Sequence, residues 1–330
     1  MTRHLRAGLV LVLLTAIAAC VPFLGSEYAF SFAIQMLVFI VLGYSWNLIG
    51  GYAGYTHFGQ MSFFGIGAYS GSLLILDAGW HWLPAALAAG GAGALVAIPL
   101  GGAMLRLKGP FFAIGMFGLT RVWESFALGF DSITDGGTGL YLPAPESLLN
   151  LYCVLAALAL FMLAATWLLD NSRLGLKLLA IREDETAAEA LGVRTTRLKV
   201  GTFIASAIAP AITGSLYATY LSFIDPSTAF APSMELTTIA TVLLGGMGTV
   251  LGPLVGATAL SVVNELLWSR FPEIYSGLVG LLVILAVLFM PRGIVSLAIK
   301  RSWLPVGRGL FRALAARSAF RASTPRVTHV

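Results

Sequence analysis

Residues 151–169 read LYCVLAALALFMLAATWLL, nineteen consecutive positions without a charge, closed by Asp170-Asn171-Ser172-Arg173. At about 1.5 Å per residue this helix would extend about 28 Å, close to the thickness of a bilayer's hydrocarbon core. Comparable apolar runs lie on both sides. Upstream are Ala7 to Leu24, Phe30 to Ile49, Ser62 to Leu76, Leu83 to Leu105 and Phe111 to Phe130. Downstream are Val200 to Leu221, a glycine-broken region from Leu236 to Leu267, and Gly277 to Met290. The expectation is an all-α polytopic membrane protein of about eight to ten transmembrane helices with Gly-broken segments.

Composition points the same way. Hydrophobic side chains make up 58% and charged ones only 11% of the 330 residues, where soluble domains carry about 25% charge. With a mean hydropathy of +0.88, a water-soluble globule is excluded. The net charge of +5 is no nucleic-acid footprint, because eighteen of the twenty Lys and Arg fall in four blocks. These are Arg3 and Arg6; Arg106 and Lys108; Arg173 to Lys199; and Arg292 to Arg326. By the positive-inside rule all four face the cytoplasm, as do both termini. Six crossings then return the chain at Asp170, and a cytoplasmic tail needs an even number after it, so parity favours ten.

Cys20 and Cys153 both lie in apolar runs, which supports neither a disulfide framework nor a metal site. Met1 to Cys20 imitates a lipoprotein signal, but the next apolar run begins at about Tyr28, so it is read as a first transmembrane helix.

Two regions are too glycine-rich for plain spans. Gly50, Gly51, Gly54, Gly59, Gly65, Gly67 and Gly71 cluster around the third run, and Gly245, Gly246, Gly248, Gly252 and Gly256 interrupt the eighth. Irregular backbone at membrane depth survives only against protein or a wet cavity. Paired interruptions point to a translocation path, so Gly54, His57, Gln60, Gly65, Gly67, Gly245, Gly246 and Gly248 are candidate path residues. For any single glycine, close helix packing is the favoured reading, and Gly248, Gly252 and Gly256 at spacing four would form a smooth strip. His57 alone reads first as a hydrogen-bonded structural residue.

Arg121 and Glu124 share one face of the fifth run. Nine Phe, Ile, Leu or Val residues there contribute about 3 to 5 kcal/mol to insertion, against about 5 to 7 opposing from the two charges. This helix is expected to face other helices, with Arg121 and Glu124 as a static intramembrane ion pair.

The loop from 170 to 199 is itself helical in character. Ser172 can cap one helix, the acids Glu183, Asp184 and Glu185 suit a helix N-terminus, and Gly192 suits the position after a C-terminus. Leu178, Ile181, Ala188 and Leu191 fall near one side, with Arg182, Glu185 and Glu189 more exposed. A short capped element of this kind makes a plug for a partner's groove.

Arg173-Leu174-Gly175, then Ala180-Ile181-Arg182-Glu183-Asp184-Glu185, then Ala187-Ala188-Glu189-Ala190-Leu191-Gly192 resemble the coupling loop of permease subunits in the branched-chain amino acid ABC importer family, LivM type. Further matches run in order over about 30 to 295: Gly51-Tyr52-Ala53-Gly54, Phe63 to Tyr69, Asp131 to Thr134, Gly214 to Ala218, and Leu244 to Thr249 with Gly252-Pro253. The pattern departs in two places. Arg121 precedes Glu124 where the family carries the acid first, and Tyr55 to Met61 is bulkier than usual. The resemblance implies a single importer transmembrane domain over 1–330, with an N-terminal helix (1–29), a cytoplasmic coupling loop (170–199) and a basic cytoplasmic tail (292–330) against membrane lipid.

It also implies the partners: a second related permease (LivH type), two ATP-binding cassette subunits, and a periplasmic substrate-binding protein, in a bacterial inner membrane. Arg182, Glu183, Asp184, Glu185, Ala187, Ala188, Glu189 and Gly192 would couple to the ATPase. No Gly-x-x-x-x-Gly-Lys-Ser/Thr loop occurs in the sequence, so ATP and Mg are expected on the partner and no cofactor on this chain. The cargo would be a branched-chain or related hydrophobic amino acid. Urea or amides carried by the same type of importer, and an ATP-independent secondary transporter, are the alternatives; a membrane-embedded enzyme lacks any nucleophile or metal constellation.

Overall fold

A computed structural model describes residues 27–145, 147–270, 277, 280 and 293–295. The expected helix at Ala7 to Leu24, most of the last run and the basic tail lie outside the described residues.

The first described helix, α1 (Glu27–Trp46), ends in a π-helical turn, Asn47–Tyr52. It is followed by α2 (Gln60–Leu76), α3 (Trp82–Met104) and α4 (Pro110–Gly129). A small excursion carries α5 (Asp131–Thr134) and β1 (Leu140–Tyr141); then come α6 (Leu148–Asp170), α7 (Arg173–Glu183) and α8 (Glu185–Ala190). The chain continues through α9 (Thr195–Leu221), β2 (Phe223–Ile224), α10 (Pro226–Ala229), α11 (Pro232–Gly245) and α12 (Gly252–Arg270). The two strands form one short antiparallel pair, with Leu140 opposite Ile224. Among the described residues, five helices are long and apolar enough to cross a membrane, and α2 and α12 are shorter apolar helices.

The helices carry their bulk outward. On α3, Ala85, Ala86, Ala89, Gly90, Gly93 and Ala97 are buried, while Leu87, Leu95 and Ile98 are exposed. Water would drive the large side chains inward; in lipid they lose nothing outside, and small residues let backbones approach. The same rule builds the main contact of the bundle, α9 on α2 and α3. Gly67 and Gly71 on α2 face Ala211 and Ser215 on α9, where an added Cβ would fall 2.0 Å from the Ala211 carbonyl oxygen and 2.0 Å from Ser215 Oγ. The span beginning with α1 lies at the centre, 83% buried in its apolar window, whereas that of α4 is 22% buried.

Local chemistry sets the ends. Pro110 begins α4, where its missing N–H costs nothing. α1 gives way after Trp46 to the π-helical turn that holds Gly50 and Gly51, and α11 and α12 break apart across Gly246 to Leu251. Gly248 lies in that turn with φ +72°, so it is not on the expected strip. Gly252 and Gly256 alone form it, against Gly246 and Thr241 carbonyls.

Candidate functional site

The α7–α8 unit is built by two caps. Ser172 Oγ accepts from the Gly175 N–H at 3.1 Å and Asp184 Oδ1 from the Ala187 N–H at 3.0 Å. Asp184 therefore ends α7 and starts α8, and Gly192, with φ +82°, lets the chain turn away after it. Leu178, Ile181 and Ala188 are buried against Tyr52, Phe112 and Phe203.

The polar side chains differ from the expected arrangement. Leu191 does not join the buried side; it is 85% exposed. Arg182 and Glu185, expected outside, turn inward. One helical wheel drawn through 176–192 misphases these positions, because the Asp184 cap is an extended residue and Leu191 lies past the end of α8. Arg182 Nη1 donates to the Gly51 carbonyl at 2.6 Å. Glu185 pairs with Lys199, a buried lysine one turn into α9, and accepts from the Tyr55 hydroxyl at 2.8 Å. Lys199 Nζ donates to the same hydroxyl at 2.9 Å. Burial pushes the Glu185 carboxyl up, but hydrogen bonds from Lys199 and Tyr55 and the Lys199 charge more than offset this and hold it below its ordinary value. Glu189 accepts from Thr195. Glu183, Asp184, Ala187, Glu189, Leu191 and Gly192 remain on the exposed face.

Arg182 also joins the two glycine breaks. Its Gly51 acceptor lies in the π-helical turn, whose first residue, Asn47, is buried and accepts from the Gly248 N–H at 2.8 Å while donating to the Thr249 carbonyl at 3.1 Å. A Cβ on Gly54 would lie 2.8 Å from Arg182 Cγ, and one on Gly248 2.6 Å from Arg182 Nη1. Gly54 and Gly248 thus meet on one arginine of the α7–α8 unit.

The other candidate path residues are placed apart from that clasp. His57 is 1% exposed among the rings of Phe63, Phe112 and Phe203, and its Nδ1 accepts from the Gly59 N–H at 3.3 Å. Gln60 Nε2 donates to the Leu42 carbonyl at 2.7 Å. Gly65 faces the Phe230 ring, Gly67 the backbone of α9, and Gly245 the Gly252 carbonyl. Gly246 follows α11 with φ +124°. Arg121 and Glu124 form an ion pair, and Arg121 Nη2 also donates to the Phe230 carbonyl.

Three features escaped the sequence reading. Lys199 and Tyr55 are one; a lysine just inside a spanning run was its available signal. Glu235 is the second: 3% exposed, it accepts the Met61 N–H at 2.9 Å and caps α2 from α11. The third is a cleft of about 540 Å³ at the end opposite α7–α8, bounded by α1, α9, α11 and α12. A separate apolar hollow of about 480 Å³ lies between α1, α6 and α12. Among the described residues no group of His, Cys, Asp and Glu is placed to hold a metal ion.

Residues 28–288 match the family model described as branched-chain amino acid transport system / permease component. The chain is 30% identical over 322 residues to the high-affinity branched-chain amino acid transport system permease protein LivM of Salmonella typhimurium, covering 87% of this chain and 74% of that one. It is 28% identical over 306 residues to LivH of Escherichia coli, covering 82% and 92%. The autoinducer 2 import system permease protein LsrC of Yersinia pseudotuberculosis is 32% identical over 136 residues, 39% of this chain and 38% of that one. No solved structure matches.

Proposed function

Because this chain belongs to the branched-chain amino acid transport permease family, we propose that it is the permease subunit of an ATP-driven importer for branched-chain or related hydrophobic amino acids. It is a multi-pass inner-membrane protein and a transport subunit. In this reading the whole chain is one transmembrane domain, with both termini and α7–α8 in the cytoplasm. It pairs with a second permease of the same family, receives solute from a periplasmic binding protein, and rests on two ATPase subunits that hold ATP and Mg.

The observation that carries the reading is the Arg182 clasp. A coupling element must do two things: present a surface to a motor and grip the parts of the bundle that move. Exposed Leu191, flanked by Glu189 and Gly192, supplies the first. Arg182 on Gly51, with Asn47 on Gly248 and Thr249, supplies the second, since both helix breaks are tied to the same unit. Closure of the ATPases would displace α7–α8, and the places where the α-helical ladder gives way to a π turn and to an irregular segment are where the bundle yields most easily. Alternating access follows if the two states differ in their ATPase contacts.

The test is Leu191→Asp in the assembled importer in vesicles. ATP-driven leucine uptake falls at least tenfold while the permease remains in the membrane. Unchanged uptake overturns the assignment of this surface.

A further inference from the structure

The cleft opposite α7–α8 has a chemistry of its own. One wall is acceptor-rich. Glu265 presents a carboxylate that takes the Tyr28 hydroxyl across the cleft from α1. Beside it, Asn264 Oδ1 is a buried acceptor with no hydrogen-bond partner among the described residues. The facing walls carry donors: the Ser31 hydroxyl and Gln35 amide on α1, and the Ser233 hydroxyl on α11. Ser233 lies in the first turn of α11, so the positive end of that helix is directed to that side. Phe32, Met36, Phe39 and Met234 complete the lining with apolar surface.

We propose that this cleft is a binding site for a small amphipathic zwitterion, held by its ammonium group on Glu265. A carboxylate is the acceptor an ammonium needs, since it brings three donors and no acceptor. The ligand's carboxylate lies on Ser31, Gln35 and the α11 N-terminus, and its side chain on the methionines and phenylalanines. At about 540 Å³ the space falls in the usual range for small-molecule sites. Tyr28, 61% exposed at the rim, closes on Glu265 and is displaced when an ammonium takes the carboxylate. This rests on the importer reading and sharpens it: a neutral amide or urea can donate to Glu265 but cannot neutralise its charge, so the site favours amino acids over uncharged solutes.

The experiment places one thiol in the cleft by Ser233→Cys, with Cys20→Ala and Cys153→Ala, in the assembled importer in vesicles. A thiol reagent is applied without ATP, and Thr237→Cys serves as a second probe position. L-leucine, leucine methyl ester and 4-methylpentanamide are compared as protectants. L-leucine is expected to slow labelling at least fivefold, the ester to protect partly and the amide not at all, and Glu265→Gln to abolish protection. Labelling unaffected by leucine at both positions, or equal protection by the amide, overturns the cleft assignment. ATP-driven uptake is measured in parallel in vesicles that carry only Cys20→Ala and Cys153→Ala, so its presence beside an unprotected thiol leaves the importer reading standing, and its absence counts against that reading alone.

Discussion

At the scale of single residues, the coupling unit depends on two polar ties with different consequences. Arg182 makes a charge-assisted bond to Gly51, partly shielded from solvent, of a kind that contributes about 1.5 to 3 kcal/mol. Arg182→Ala removes it while leaving the buried Leu178 and Ile181 in place, so α7 stays docked but no longer grips the break. Uptake is expected to fall about tenfold, the equivalent of about 1.4 kcal/mol, with ATP hydrolysis by the complex continuing. Equal losses of hydrolysis and uptake would point instead to a folding defect. The second tie is the Glu185, Lys199 and Tyr55 cluster. Glu185's carboxyl lies below its ordinary value in the folded protein, so the tie contributes its stability above the unfolded pKa of about 4.3 and loses it as pH falls through the folded value. The protection of the 187–193 amides against hydrogen exchange, taken relative to the unfolded chain at the same pH, is expected to hold at neutral pH and to fall below about pH 4.3. In Glu185→Gln the same amides are less protected at neutral pH and show no such fall.

At the scale of elements, periodicity and apolarity located the helices because lipid punishes any other backbone. The run Leu151 to Leu169 became α6 (Leu148–Asp170), and Leu83 to Leu105 became α3 (Trp82–Met104). The reading of Val200 to Leu221 started five residues late, since Thr195 to Lys199 looks like loop yet forms the first turn of α9. What stayed illegible was which element satisfies another's end. Gly59 provides no side chain to cap α2, and the missing acceptor arrives from Glu235, 174 residues away from Met61. No local pattern encodes that contact, just as none joins Tyr55 to Lys199 across 144 residues. The cap makes a prediction of its own. Glu235→Ala leaves a buried amide donor unsatisfied, at about 1 to 3 kcal/mol, whereas Glu235→Gln keeps an acceptor oxygen. Thermal unfolding of the detergent-solubilised protein is expected to rank wild type and Glu235→Gln above Glu235→Ala. An alanine variant as stable as wild type would remove Glu235 from this role.

At the scale of the whole molecule, the charges sort to the two ends of the bundle. The end that holds α7–α8 carries Arg106 and Lys108 after α3, Arg173 and Lys177 on α7, and Arg194 and Arg197 at the start of α9, in excess over the exposed Glu183, Asp184 and Glu189. The opposite end has Asp77, Asp131, Asp135 and Asp225, together with the Glu265 cleft. Neither set is paired off against the other, so the asymmetry is a field along the membrane normal, and a basic end is retained in the cytoplasm during insertion. The glycine breaks lie at the basic end, where Arg182 reaches Gly51, and the cleft lies at the acidic one. With solute taken at the cleft and force at α7–α8, as proposed, the two functions would lie at opposite ends of the bundle, with the buried α1 running between them. Single cysteines test this polarity directly, in a chain with Cys20→Ala and Cys153→Ala. A membrane-impermeant thiol reagent added to intact cells is expected to label Tyr141→Cys, whose parent side chain is 75% exposed, and to spare Leu191→Cys. Inside-out vesicles are expected to reverse the result. Labelling of Leu191→Cys from outside intact cells would invert the chain in the membrane, and an inverted chain cannot set α7–α8 on a cytoplasmic ATPase.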